Sequence, residues 1–113
     1  MTPRSCRFVA RTKESVIKTR IKNILKEFQC YFFMPPANGY GRAGIPDFVG
    51  CLNGMFFSIE AKAGKGKTTA LQEKELQKIR DAGGFAIVVN EDNIHNLKDL
   101  MTTWSKQEWT YSP

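Results

Sequence analysis

Apolar residues recur at Ile17, Ile21, Ile24 and Phe28, with Leu25 beside them. That spacing marks one face of an α-helix and predicts a helix from Thr12 to about Phe28. Lys13, Arg20, Lys22 and Lys26 fall away from the stripe and form a basic outer face. Cys30 to Met34 (CYFFM) reads as a short aromatic strand, stopped by Pro35-Pro36. Two further apolar runs flank Asn53-Gly54 within Ile45 to Lys62. Asn-Gly suits a two-residue type I′ turn, in which both central residues take positive φ, so this stretch predicts a hairpin. Pro46 opens its first strand, where a missing N–H does least harm. Thr69 then caps a second helix, with Gln72 completing a capping box, and Gly83-Gly84 ends it. Phe85 to Val89 (FAIVV) is continuously apolar, the pattern of a strand buried on both faces. Asp92 is positioned to cap a third helix with the stripe Ile94, Leu97, Met101 and Trp104.

The predicted order is helix, strand, strand, strand, helix, strand, helix. A parallel crossover through the second helix places the last strand beside the first three, in a small mixed α/β sheet with helices on both faces. The 113 residues fit one domain. Residues 1–11 form a basic N-terminal tail. Residues 105–113 form a C-terminal tail whose Trp109 and Tyr111 serve either a partner interface or a cover folded back on the core.

The hairpin brings in chemistry. A two-residue turn at Asn53-Gly54 pairs Leu52 with Met55 and Cys51 with Phe56. Counted outward, Asp47 falls opposite Glu60. The period of two puts Ser58, Glu60 and Lys62 on one face with Asp47. Met55, Phe57, Ile59 and Ala61 take the other face with Phe48 and Leu52. Directly opposed carboxylates repel, and a hard divalent cation between them reverses the sign of that effect. The bland reading is a solvated face on which Lys62 neutralises Glu60. Two first-turn residues join this end of the hairpin. Glu14 lies three before Ile17, on the core-facing stripe, where the helix dipole also favours it. Gln72 shares the stripe of Leu76 and Ile79, although capping alone explains a glutamine there.

Charge then narrows the partner. Lysines and arginines number 17 against 11 acidic residues, a formal balance of +6 that favours a polyanion such as nucleic acid. Cys6, Cys30 and Cys51 are odd in number and lack CxxC spacing, which fits a reducing, cytoplasmic setting better than a disulfide framework or a zinc site. No apolar run reaches membrane-spanning length, and the N-terminus lacks the apolar core of a secretory signal. The glycine-rich stretch Ala37 to Gly44 carries Tyr40 and Arg42, suited either to gripping phosphate or to plain connection. AGKGKTT looks like a nucleotide-binding P-loop, but Ala61 stands where its first glycine belongs, so no nucleotide cofactor is expected. Lys65 and Lys67 remain as a basic loop fit to meet a phosphate backbone. His95 is alone of its kind and has no companion ligand.

Pro46-Asp47 followed by Glu60-Ala61-Lys62 on adjacent strands resembles the PD…(D/E)xK signature of the restriction-endonuclease-like nuclease superfamily. Within it the chain is similar to the VRR-NUC family, through Glu14 on an early helix, GRAGIPDF, the EAK strand end and the glutamine of TALQ. Its length resembles stand-alone phage and prophage members acting inside the host cell. The resemblance implies a restriction-endonuclease-like core and an endonuclease using Mg2+ or Mn2+, as one ion or two. It also implies a homodimer acting on branched DNA such as four-way (Holliday) junctions, with 5′-phosphate products. It casts Asp47, Glu60 and the Ala61 carbonyl as metal ligands, Glu14 as holding the metal directly or through water, Lys62 as the group that positions or activates the attacking water, and Gln72 as the orienter of Lys62 or of that water. A DNA-binding module of the same fold that does not cut, or a sequence-specific restriction-type nuclease, are the competing expectations.

Overall fold

The computed structural model describes residues 13–36 and 43–108. The elements run α1 (Glu14–Glu27), β1 (Tyr31–Phe33), β2 (Phe48–Leu52), β3 (Met55–Ala61), α2 (Ala70–Asp81), β4 (Phe85–Val89) and α3 (Ile94–Lys106). Their order is the α-β-β-β-α-β-α read from the sequence. The four strands form one sheet in the order β1-β2-β3-β4. β1, β2 and β3 pair antiparallel and β4 joins β3 in parallel, so the sheet is mixed and α2 is the crossover.

The hairpin turn controls the register. Asn53 and Gly54 take φ of 50° and 85°, the positive values of a type I′ turn. Leu52 then pairs with Met55, Cys51 with Phe56, Gly50 with Phe57, Val49 with Ser58 and Phe48 with Ile59. Gly50 is demanded by packing. A Cβ there would stand 2.4 Å from the Tyr31 carbonyl oxygen and 2.6 Å from the Phe57 ring.

One face of the sheet carries the main core. Ile17, Ile21 and Leu25 of α1 pack with Phe48, Phe57, Ile59, Ala61 and Val89 of the sheet and with Ile94, Leu97, Met101 and Trp104 of α3. Trp104 stacks on Phe57 at 6.0 Å between ring centroids and meets Phe85 edge-on at 4.8 Å. The opposite face holds Ser58, Glu60 and Ala86, all buried, on the side where α2 supplies buried Leu76. The Ser58–Glu60 face is therefore an interior surface, unlike the solvated face of the bland reading. β4 forms a sheet edge, yet Ala86 and Val89, on opposite faces, are both buried.

Three local expectations change. β1 is confined to Tyr31–Phe33, because Gln29 takes φ of 57° and the Cys30 thiol turns back to donate to the Leu25 carbonyl. Asp92 does not cap α3. Asn93 precedes that helix, and Asn90 and Asn93 close the turn reciprocally: Asn93 Oδ1 accepts from Asn90 N–H at 2.8 Å, and Asn90 Oδ1 accepts from the N–H groups of Asp92 and Asn93. The helix α1 starts at Glu14, behind Lys13, which makes no side-chain cap bond. Among the described residues no helix is long and apolar enough to cross a membrane. Trp109 and Tyr111 lie outside the described residues, as does the tail 1–11.

Asn53 also anchors a distant element. Its Nδ2 donates to the Trp104 carbonyl at 2.8 Å and to the Gln107 carbonyl, tying the turn to the C-terminal end of α3. Asn53→Gly keeps the positive φ but loses these bonds, whereas Asn53→Ala loses both. In urea unfolding, Asn53→Gly is expected to lower stability by about 1–2 kcal/mol, and Asn53→Ala by about a further 1 kcal/mol. Equal stabilities for the two variants and wild type would contradict the anchoring role.

Candidate functional site

The open end of the hairpin collects the acidic residues. Asp47 stands one position before the first paired residue of β2, where the register would next place it against Glu60. The ladder stops short of that pair. Asp47 turns its carboxylate onto β3, and its Oδ2 accepts the Ala61 N–H at 2.8 Å. The approach to Asp47 is fixed from behind. Pro46 is buried, and Gly44, at φ of 85°, lies against the first turn of α2. A Cβ on Gly44 would stand 2.5 Å from the Leu71 carbonyl oxygen, so only glycine lets this segment lie so close to the helix that carries Gln72.

Glu60 is almost wholly enclosed, with 3% of its side chain accessible, and its Oε2 pairs with Lys62 Nζ at 3.6 Å. The same oxygen accepts from Gln72 Nε2 at 2.9 Å. Gln72 meets both expectations made for it. Its Oε1 accepts the Thr69 N–H at 2.9 Å, and Thr69 Oγ1 accepts the Gln72 N–H at 3.1 Å, so capping locks the rotamer that reaches Glu60. What it orients directly is Glu60; Lys62 joins through the shared carboxylate oxygen. Lys62 extends the β3–β4 pairing by donating its N–H to the Val89 carbonyl at 2.9 Å, which keeps it in phase with Glu60.

Burial, reinforced by the nearby Asp47 and Glu14 carboxylates, raises the Glu60 pKa to about 7 from its ordinary 4.5, against the lowering pull of Lys62. Lys62 therefore offsets only part of what burial and the neighbouring carboxylates do to Glu60.

Glu14 departs from its expected position. It does not face the core. Its side chain is 43% accessible and meets Lys18 Nζ at 3.6 Å, one helical turn along α1. The cause is its place as the first helical residue, clear of the buried stripe that begins at Ile17. Lys18 is the residue that sequence reasoning missed. Its ammonium also lies 3.4 Å from Asp47 Oδ1, so it joins the helix carboxylate to the hairpin carboxylate. Burial lowers the Lys18 pKa, but Asp47 and Glu14 together outweigh it and the net direction is upward. The available signal was the four-residue spacing from Glu14.

Two sets of short polar contacts therefore meet here: Glu14, Lys18, Asp47 and the Ala61 N–H form one, and Lys62, Glu60 and Gln72 the other, with the Glu60–Ala61 backbone joining them. The Ala61 group in contact with Asp47 is its N–H, distinct from the carbonyl oxygen that the resemblance assigns to a metal. Lys65 and Lys67 are exposed in the loop after β3, where Gly64 donates its N–H to both carboxylate oxygens of Glu91 at 3.0 and 2.9 Å. Tyr40 and Arg42 lie outside the described residues.

Among the described residues, no three His, Cys, Asp or Glu side chains stand close enough together to hold a metal ion as arranged. The donor chemistry nonetheless suits a hard divalent cation. The acidic groups are carboxylates, one of them buried and crowded, and a cationic ammonium already bridges the other two. Comparison of the chain with protein-family models, with curated proteins and with solved structures finds no match.

The Glu60 shift sets a pH dependence. With a folded pKa of about 7 above an ordinary 4.5, the folded state binds the proton more tightly than the unfolded chain. Its contribution is fully present below about 4.5, is lost as pH rises to about 7 and is level above that. Urea unfolding in chelator from pH 4.5 to 8 is expected to show wild type losing up to about 3 kcal/mol relative to Glu60→Gln. Parallel profiles for the two proteins would contradict the crowding at Glu60.

Proposed function

We propose that this protein is a metal-dependent DNA endonuclease of the restriction-endonuclease-like superfamily and of VRR-NUC type. In this reading it acts as a homodimer on branched DNA, four-way junctions among them. The observation that carries the reading is the end of the β2–β3 hairpin, where Glu60 is buried beside Lys62 and Gln72 and Asp47 is tied to the neighbouring strand. A fold selected for stability alone has no use for a buried carboxylate crowded by two others. The +6 charge balance supports a polyanionic substrate.

Asp47 and Glu60 are assigned as ligands of Mg2+ or Mn2+, with Glu14 and the Ala61 carbonyl oxygen completing the set. Such an ion supplies a lowered water pKa and neutralises charge on the phosphate being cleaved. The Ala61 N–H holds Asp47 against the strand, so one of its oxygens is fixed and the other faces Lys18. Gln72 holds Glu60 by one oxygen, and capping limits its own motion. Lys62 carries a positive charge within 3.6 Å of Glu60, placed to orient the attacking water and to offset charge gathering on the phosphorus oxygens. Lys65, Lys67, Arg42 and Tyr40 are assigned to DNA contact. A two-fold dimer would supply the two cuts that a symmetric junction needs.

A second reading, binding of DNA without cleavage, draws on Lys18, which already bridges Glu14 and Asp47. A panel of end-labelled four-way junctions, flaps, splayed arms and plain duplex with Mg2+ or Mn2+ separates the two. Wild type is expected to cut branched substrates, leaving 5′-phosphates, and Asp47→Asn or Lys62→Ala to be slower by about 10²–10⁴-fold. Binding of junctions without cleavage, or unchanged rates in both variants, would overturn the nuclease reading.

A further inference from the structure

We infer that Lys18 is the built-in counter-ion of the acidic site, whose ammonium holds the position between Glu14 and Asp47 that a divalent cation takes on loading. Metal entry and release of Lys18 toward solvent are then one exchange. This rests on the metal-site reading given above and goes beyond it, since it assigns a regulatory role to a residue outside the signature motif.

The geometry carries the exchange. Lys18 Nζ stands 3.6 Å from Glu14 Oε2 and 3.4 Å from Asp47 Oδ1, and these carboxylates come from different elements. Glu60 is served separately by Lys62 and Gln72, so Lys18 is the counter-ion of the half of the cluster that those two do not reach. Its backbone is fixed, because Ile17 and Ile21 of the same helix are fully buried. Its head is not fixed in the same way. The side chain is 35% accessible and ends a flexible four-carbon stem, so the ammonium can leave the carboxylates without disturbing the core.

An incoming ion competes with a single positive charge that is already tethered and loses no translational freedom by staying. A divalent ion, with twice the charge, displaces it; a monovalent ion does not. In the absence of a divalent ion, Lys18 keeps Glu14 and Asp47 from repelling one another and holds the start of α1 to the hairpin. The released ammonium would sit at the rim, on the helix that also exposes Arg20 and Lys22.

The test titrates Mn2+ calorimetrically into wild type, Lys18→Met and Lys22→Met, and follows thermal unfolding of each with chelator and with saturating Mn2+. Lys22→Met removes the same charge one turn away, on an exposed position. Lys18→Met is expected to bind Mn2+ about threefold to tenfold more tightly than wild type, the release of two half-exposed ion pairs. Lys22→Met is expected to stay within about twofold of wild type, because an exposed distant charge is largely screened. Metal-free Lys18→Met is expected to melt about 2–5 °C lower than wild type, with saturating Mn2+ removing the deficit. Mn2+ binding of equal affinity in wild type and Lys18→Met, or an equal gain in Lys22→Met, overturns the exchange and leaves the metal site standing. No Mn2+ binding by wild type or Lys18→Met overturns the metal site and the exchange with it.

Discussion

The Asn53-Gly54 turn dictates which residues meet at the far end of the hairpin. A two-residue turn with positive φ at both positions permits one register, and a slip of one residue would send every side chain of β3 to the wrong face. The register holds from Leu52–Met55 to Phe48–Ile59. It delivers Asp47 and Glu60 to the same end, each one position past the last β2–β3 pair. The same turn is tied to the end of α3 through Asn53, so the helix that roofs the core also holds the hairpin in place.

Bringing carboxylates together in a partly buried place is unfavourable, and the surrounding residues show how it is offset. Asp47 avoids direct opposition by taking the Ala61 N–H. Glu60 takes Gln72 and Lys62 on one oxygen. Lys18 bridges Glu14 and Asp47 and offsets part of their charge. The compensation is incomplete, since Glu60 still has its pKa raised to about 7. The end of β3 provides Lys62 and the Ala61 N–H, and the N-terminal parts of α1 and α2 provide Lys18 and Gln72. Gly44 brings the segment before Asp47 against the start of α2. Fold and site are thus coupled: the elements that close the core also supply the groups around the carboxylates.

Local rules made most of the fold legible. The helical stripes of α1 and α3 and the hairpin register follow from periodicity and one dipeptide. The capping box followed from Thr69 and Gln72. Less legible were competition between neighbouring caps, the point at which a buried stripe begins, and contacts between distant segments. Asp92 is a good cap by type, yet Asn90 and Asn93 satisfy one another first. Glu14 shares a phase with Ile17, but the core begins one step later and leaves it half-exposed. Lys18 reads as another helix lysine until Asp47 arrives from a different element, 29 positions further along the chain. Asn53 reads as turn chemistry alone, and its bonds to α3 depend on where the last helix ends.

The central claim is that the carboxylates at the hairpin end bind a divalent cation. The most direct measurement is a crystal structure of the protein grown with Mn2+, with anomalous differences recorded at the manganese edge. A peak is expected within coordination distance of both Asp47 and Glu60, with the Lys18 ammonium moved away from Asp47. A map with no anomalous peak at these carboxylates in millimolar Mn2+, and Lys18 still bridging Glu14 and Asp47, would contradict it.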